Sequence, residues 1–187
     1  AGLAAEGVTS VTEPAASRDH TERMLTAAGA DVSRTGTTVA VAGADELVLE
    51  EIVVPADPSS AAFAIAAAVL VKGSRILVED CGVNWTRVGF LRILQRMGGI
   101  VIGDLEEPPG PDEARFPDRE PISDLDVAHG PLNGTVVDGA EVPLAIDELP
   151  LVALLGAFAF AAYTSTVESN RRPGATAAQP QRSTKER

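Results

Sequence analysis

An internal repeat limits the folds open to this 187-residue chain. Ala1–Val32 contains, in order, AGLAAEG, VTSVTEP and SRDHTERMLTAAGADV; Ala61–Ile102 contains AAFAIAAAVLVKG, SRILVED and NWTRVGFLRILQRMGGIVI. Each copy sets an Ala-rich helix ending at a glycine before a short alternating strand. An amphipathic helix and a further strand after Ala-Gly or Gly-Gly then follow. Gly7 and Gly73 fall where a helix C-terminus calls for positive φ. Met24/Leu25 and Leu91/Leu94/Met97 recur at spacing 3 and 4 and give the second helix of each copy one apolar face.

Further strands are expected at Thr38–Val41 and Val48–Val54 in the first copy, and at Leu125–Ala128 and Gly134–Val137 after the second. A third copy opens at Ile146 with a nearly all-apolar helix over Glu148–Ala162 and a strand over Thr164–Val167, after which the pattern stops. The grammar is a βαβαββ-type unit, present twice and once in part. It favours an α/β architecture with helices packed beneath sheets. A boundary is expected near Val53–Pro55, where an acidic strand hands over to an Ala-rich helix. The Pro- and acid-rich stretch Glu106–Pro121 reads as a long exposed loop.

Composition narrows the function classes. The chain carries 15 Lys+Arg against 27 Asp+Glu, a formal net charge of −12. That balance argues against nucleic acid, whose binding needs clustered cations to displace phosphate counterions. The longest apolar runs, Ala61–Val71 and Leu149–Ala162, are shorter than the roughly 17–25 residues of a membrane-crossing helix. No secretory leader is recognisable at the N-terminus. The single cysteine excludes an intramolecular disulfide framework and fits a reducing compartment, so a soluble, cytoplasmic chain is expected. Asn170–Arg187 gathers basic residues with Pro, Gly, Gln, Ser and Thr, and reads as a disordered tail. The chain opens in what reads as the end of a helix, so both ends are expected to be interruptions of a longer sequence.

Three places could hold chemistry. Asp57-Pro58-Ser59-Ser60 opens a helix: Asp57 is a good N-cap and Pro58 suits the first helical position. Alternatively, the amides of Ser59 and Ser60 face an anion. Asp147, in Ile146–Pro150, holds the equivalent place in the third copy. It is either a cap or, with a cationic neighbour to hold substrate, a general base. In Ser17–Arg23, Ser17 or Asp19 can cap the following helix, and Glu22 and Arg23 are placed on its solvated face. Arg18 is either a surface charge or a clamp for phosphate or carboxylate. His20 lacks a second ligand at metal spacing, and Cys81 has no nearby His or Lys in sequence to lower its pKa, so it reads as a small buried apolar residue.

These stretches together resemble the 5-enolpyruvylshikimate-3-phosphate synthase family. The resemblance is carried by Glu6–Val32, Val53–Ser74, Asn84–Val101 and Pro131–Ala159, in family order and spacing, with SRDHTE and IDELP the specific motifs. It implies an inside-out α/β barrel fold of βαβαββ units in two domains, incomplete here. Residues 1–54 would be the last unit of the first barrel domain, 55–162 the first unit and part of the next of the second, and 163–187 an aberrant tail.

The resemblance also implies transfer of the enolpyruvyl group of phosphoenolpyruvate to the 5-hydroxyl of shikimate 3-phosphate, releasing phosphate, with no metal or organic cofactor. Neither nucleic acid nor membrane takes part, and a full-length member is expected to be monomeric. Asp147 matches the family's catalytic aspartate, which contacts shikimate 3-phosphate and accepts a proton, and Arg18 an arginine near the shikimate phosphate. The family's N-terminal Lys-Ser, Arg and Ser-Ala-Gln groups would precede Ala1. Its later Lys-Glu-Ser-Asp-Arg motif is replaced by Phe160–Arg187, where Lys185-Glu186 comes too late to match. The isolated chain is therefore expected to be inactive. Two other readings remain: a relative of the UDP-N-acetylglucosamine enolpyruvyl transferase, and a non-catalytic remnant that binds a partner through its basic tail.

Overall fold

A computed structural model of the chain describes residues 2–110 and 113–171. The repeat seen in the sequence is a repeat of topology. In the first unit, β1 (Val8–Thr12), α1 (His20–Ala27), β2 (Val32–Thr35) and β3 (Thr38–Ala42) follow a short 3₁₀ turn. Their sheet has the order β1-β3-β2, with both outer strands antiparallel to β3. In the second unit, α2 (Pro58–Leu70) precedes β4 (Arg75–Gly82), α3 (Gly89–Arg96), β5 (Ile100–Ile102) and β6 (Ile122–Ala128). Here too the last strand lies between the other two, in the order β4-β6-β5 and antiparallel to both. The expected α/β class is present as two small antiparallel sheets with helices.

Local sequence explains the elements. Asp57 caps α2, accepting from the amides of Ser59 at 3.2 Å and Ser60 at 3.1 Å, with Pro58 in the first turn. Gly7 and Gly73 have φ of 81° and 79°, as the helix-end pattern requires. α3 buries Phe90, Leu91, Ile93 and Leu94 and turns Arg92 and Arg96 outward. These side chains, with Ile65, Val69, Leu125 and Val127, make the main core, and α4 (Leu149–Arg171) closes it with Leu155. The first unit has a much smaller cluster, Ala30, Val32 and Phe116.

Several expectations are corrected. Val48–Val54 and Gly134–Val137 form no strands. Val48–Val54 lies beside no partner strand among the described residues, and its amide at Val48 reaches only Ala28 O at 3.1 Å. In Gly134–Val137 the hydroxyl of Thr135 and the carbonyl of Val136 accept from Arg96 instead of from a ladder. Thr164–Val167 is helical, because nothing in the run before Pro173 stops α4, which continues to Arg171. Of the expected tail 163–187, residues 163–171 thus continue a helix and 172–187 lie outside the described residues.

The segment joining β5 to β6 is not simply an exposed loop. Where β2 and β3 turn at Gly36 (φ 59°), the second unit inserts residues 103–121, and of these, residues 113–116 reach the first unit. There Arg34 N donates to Ala114 O at 2.8 Å, Arg115 bridges Ser33, and Phe116 is buried with the Arg34 guanidinium 4.7 Å over its ring.

Candidate functional site

Arg18 lies just before α1 and Asp147 just before α4, and the fold brings them together. An Arg18 Nη donates to Asp147 Oδ2 in an ion pair spanning 129 residues of sequence. Both side chains stay about half exposed, at 46% and 52%. Asp147 makes no cap to α4 here; its carboxylate faces a cation. A guanidinium beside a carboxylate at a solvent-open helix start can hold an anionic group while the carboxylate takes a proton from it. The alternative of free amides at the start of α2 fails, because the Ser59 and Ser60 amides are already taken by Asp57.

Behind Arg18 sits a buried polar network that the sequence reading placed in solvent. Arg23 is buried, at 3%, not on a solvated face. Its guanidinium uses all five N–H groups: two to Asp19 (2.9 and 3.1 Å), two to Glu106 (3.0 and 2.8 Å), and one to Arg119 O (3.2 Å). Asp19 also accepts from Asn84 Nδ2 at 2.7 Å and Trp85 Nε1 at 3.3 Å, so its side chain caps no helix. Ser17 is no cap either, since its hydroxyl donates to Glu13. His20 Nδ1 pairs with Glu120 at 2.8 Å, and Glu120 accepts from Asn84 as well. α1 therefore has Arg23 inward, next to Asp19 just before it; of the expected apolar face, Leu25 packs against the Ala30/Val32/Phe116 cluster while Met24 is exposed. The missed signal was the Asp19–Arg23 spacing, an i,i+4 acid–base pair. The partners on residues 84–85, 106 and 120 carry no such local mark.

Burial alone would raise the Asp19 carboxyl. The hydrogen bonds from Arg23, Asn84 and Trp85, with the charge of Arg23, outweigh it and hold Asp19 below its ordinary value. Glu120 behaves likewise: burial pushes up, and the bonds from His20 and Asn84 pull it net downward. Burial pushes the Cys81 thiol up to about 11, which fits a small buried residue rather than a nucleophile.

On the Asp147 side, Glu148 is buried at 6% and accepts from the Ser59 hydroxyl. Arg87 donates to Ser59 Oγ and to Asp57 Oδ1, both at 2.8 Å. A cleft of about 890 Å³ runs between the units, with Arg23, Met24, Val54, Asn84, Arg87 and Glu120 on its walls; neither Arg18 nor Asp147 lines it. Among the described residues, no group of three or more His, Cys, Asp or Glu is arranged to hold a metal, and no helix is long and apolar enough to cross a membrane.

Residues 1–172 match the family model for EPSP synthase (3-phosphoshikimate 1-carboxyvinyltransferase). The chain belongs to the EPSP synthase family. The 3-phosphoshikimate 1-carboxyvinyltransferase of Brevibacillus brevis is 47% identical over 155 residues, 83% of this chain and 34% of that protein. The Bacillus subtilis enzyme of the same name is 45% identical over the same shares. Among solved structures, EPSP synthase from Acinetobacter baumannii superposes with a TM-score of 0.68 at 43% identity, covering 80% of this chain and 32% of that one. The chain spans about a third of the length of the EPSP synthases it matches.

Proposed function

We propose that this chain contributes part of the site that transfers the enolpyruvyl group of phosphoenolpyruvate to the 5-hydroxyl of shikimate 3-phosphate, releasing phosphate. The family membership supports the reaction class, and the meeting of Arg18 with Asp147 is the observation that carries the site assignment. In this reading Arg18 neutralises the shikimate phosphate and Asp147 accepts the proton of the attacking hydroxyl. The hydroxyl oxygen bonds to C2 of phosphoenolpyruvate while C3 gains a proton. The tetrahedral adduct then loses a C3 proton and phosphate, leaving the enol ether.

In the same reading, residues 1–54 close one barrel domain and residues 55–162 open the other. The acceptor is shikimate 3-phosphate rather than UDP-N-acetylglucosamine, in keeping with the names of the relatives. A cytoplasmic monomer is the expected full-length state. A polypeptide of these 187 residues alone should release no phosphate, because it spans a third of the enzymes it resembles. A coupled phosphate assay with both substrates checks this. Turnover lost in Asp147→Asn would show the chain sufficient and overturn the predicted inactivity.

A further inference from the structure

The Arg18–Asp147 pair cannot hold its own geometry. Its side chains are 46% and 52% exposed, and ion pairs so open to water contribute little. Their placement must come from what anchors the two backbones. Each residue is followed directly by a buried acid, Asp19 at 5% exposure and Glu148 at 6%. Both acids lead to one turn, Asn84–Arg87, at the start of α3. Asn84 reaches Asp19 directly, and Trp85 Nε1 reaches its other oxygen at 3.3 Å. Arg87 reaches Glu148 through the hydroxyl of Ser59.

The turn itself is fixed. Asn84 Oδ1 accepts from Thr86 N at 2.8 Å and Thr86 Oγ1 at 2.6 Å, which aims Nδ2 at Asp19. The Trp85 amide donates to Glu106 at 3.0 Å, tying the turn to the carboxylate that also binds Arg23. We propose that the Asn84–Arg87 turn is the positioning element of the site: Asn84 sets Arg18 through Asp19, and Arg87 sets Asp147 through Ser59 and Glu148. What the site binds rests on the reading above; the positioning does not. It explains why two acids stand side by side in Asp147-Glu148: one faces the cation, and the other anchors the chain.

The test places nitroxide labels at exposed Ala15 and Ile146 in a Cys81→Ala chain and measures the interspin distance distribution. Arg87→Gln removes the guanidinium that reaches Ser59 from a side chain 18% exposed, leaving a shorter, neutral amide, and Asn84→Ala removes the link to Asp19. Both should broaden the distribution by roughly 1 Å or more. Arg87→Gln should also lower the thermal midpoint, since it loses the pair with Asp57, and Arg87→Lys should restore the narrow distribution. A distribution already broad in the parent, or unchanged in Arg87→Gln, overturns the proposal. Should Asn84→Ala fail to fold, Arg87→Gln and Arg87→Lys decide. Shikimate 3-phosphate affinity is measured alongside: if Arg18→Gln leaves it unchanged, the substrate reading falls while the positioning proposal stands on the distances.

Discussion

Arg23 is where removal of a single side chain should be felt most. Replacing it by Met would leave Asp19 and Glu106 without their cation in a site only 3% exposed at the arginine. Breaking a buried pair from one side costs about 3–5 kcal/mol, read as a lower urea midpoint. The pH dependence should weaken as well. Asp19 and Glu120 sit below their ordinary values in the folded chain. Their stabilisation is therefore complete above the unfolded carboxylate pKa of about 4 and is lost as pH falls through the folded values. In Arg23→Met, Asp19 keeps the bonds from Asn84 and Trp85 but loses those of Arg23 and its charge, so its carboxyl moves upward and acidification should cost the variant less stability than the parent. A variant whose midpoint tracks the parent across pH would count against the network. At this scale the sequence showed Arg18 and Asp147 as candidates, because a cation and a helix-start acid are visible locally. It hid the burial of Arg23, since the carboxylates that make burial tolerable come from 83 residues away and from the helix's own start.

Elements were more legible than partners. The helices α1, α2 and α3 and the strands β1, β3, β4 and β6 follow from periodicity, Asp57 capping and the glycines at helix ends. Pairing was not legible in Val48–Val54: its alternation looks like a strand, yet a strand also needs a neighbour. The stretch Glu106–Pro121 reads as exposed because it is rich in Pro and acid, and its one large apolar side chain, Phe116, stands alone in sequence. Phe116→Ala should cost about 3 kcal/mol by loss of its burial against Ala30 and Val32. Amide exchange should show β2 and β3 opening faster while α3 and β6 keep their protection. Equal acceleration in both units would mean the strap is not a local fastener.

The whole molecule is unevenly cored. The second unit and α4 share a continuous apolar core, whereas three buried apolar residues make up the first unit's cluster. The first unit therefore depends on the Arg23 network and the Phe116 strap, and its amides should exchange ahead of the second unit's. Large apolar side chains also stand open on several faces, among them Val8 at 71%, Phe63 at 69% and Phe160 at 70% exposure. The 187-residue chain alone should bind an apolar-surface dye in its folded state and self-associate as concentration rises; a monodisperse chain with no dye binding would contradict this. The repeat was readable because each copy carries its own pattern. The crossing contacts between copies were not, because they join residues without shared periodicity.

The most direct measurement is an NMR titration of the folded 187-residue chain with shikimate 3-phosphate, followed at the backbone amides. Saturable shifts centred on residues 17–19 and 146–148 are expected, lost in Arg18→Gln and weakened in Asp147→Asn. A folded chain that shows no shifts there, or the same shifts without the Arg18 guanidinium, would contradict the assignment of these two residues to the substrate site.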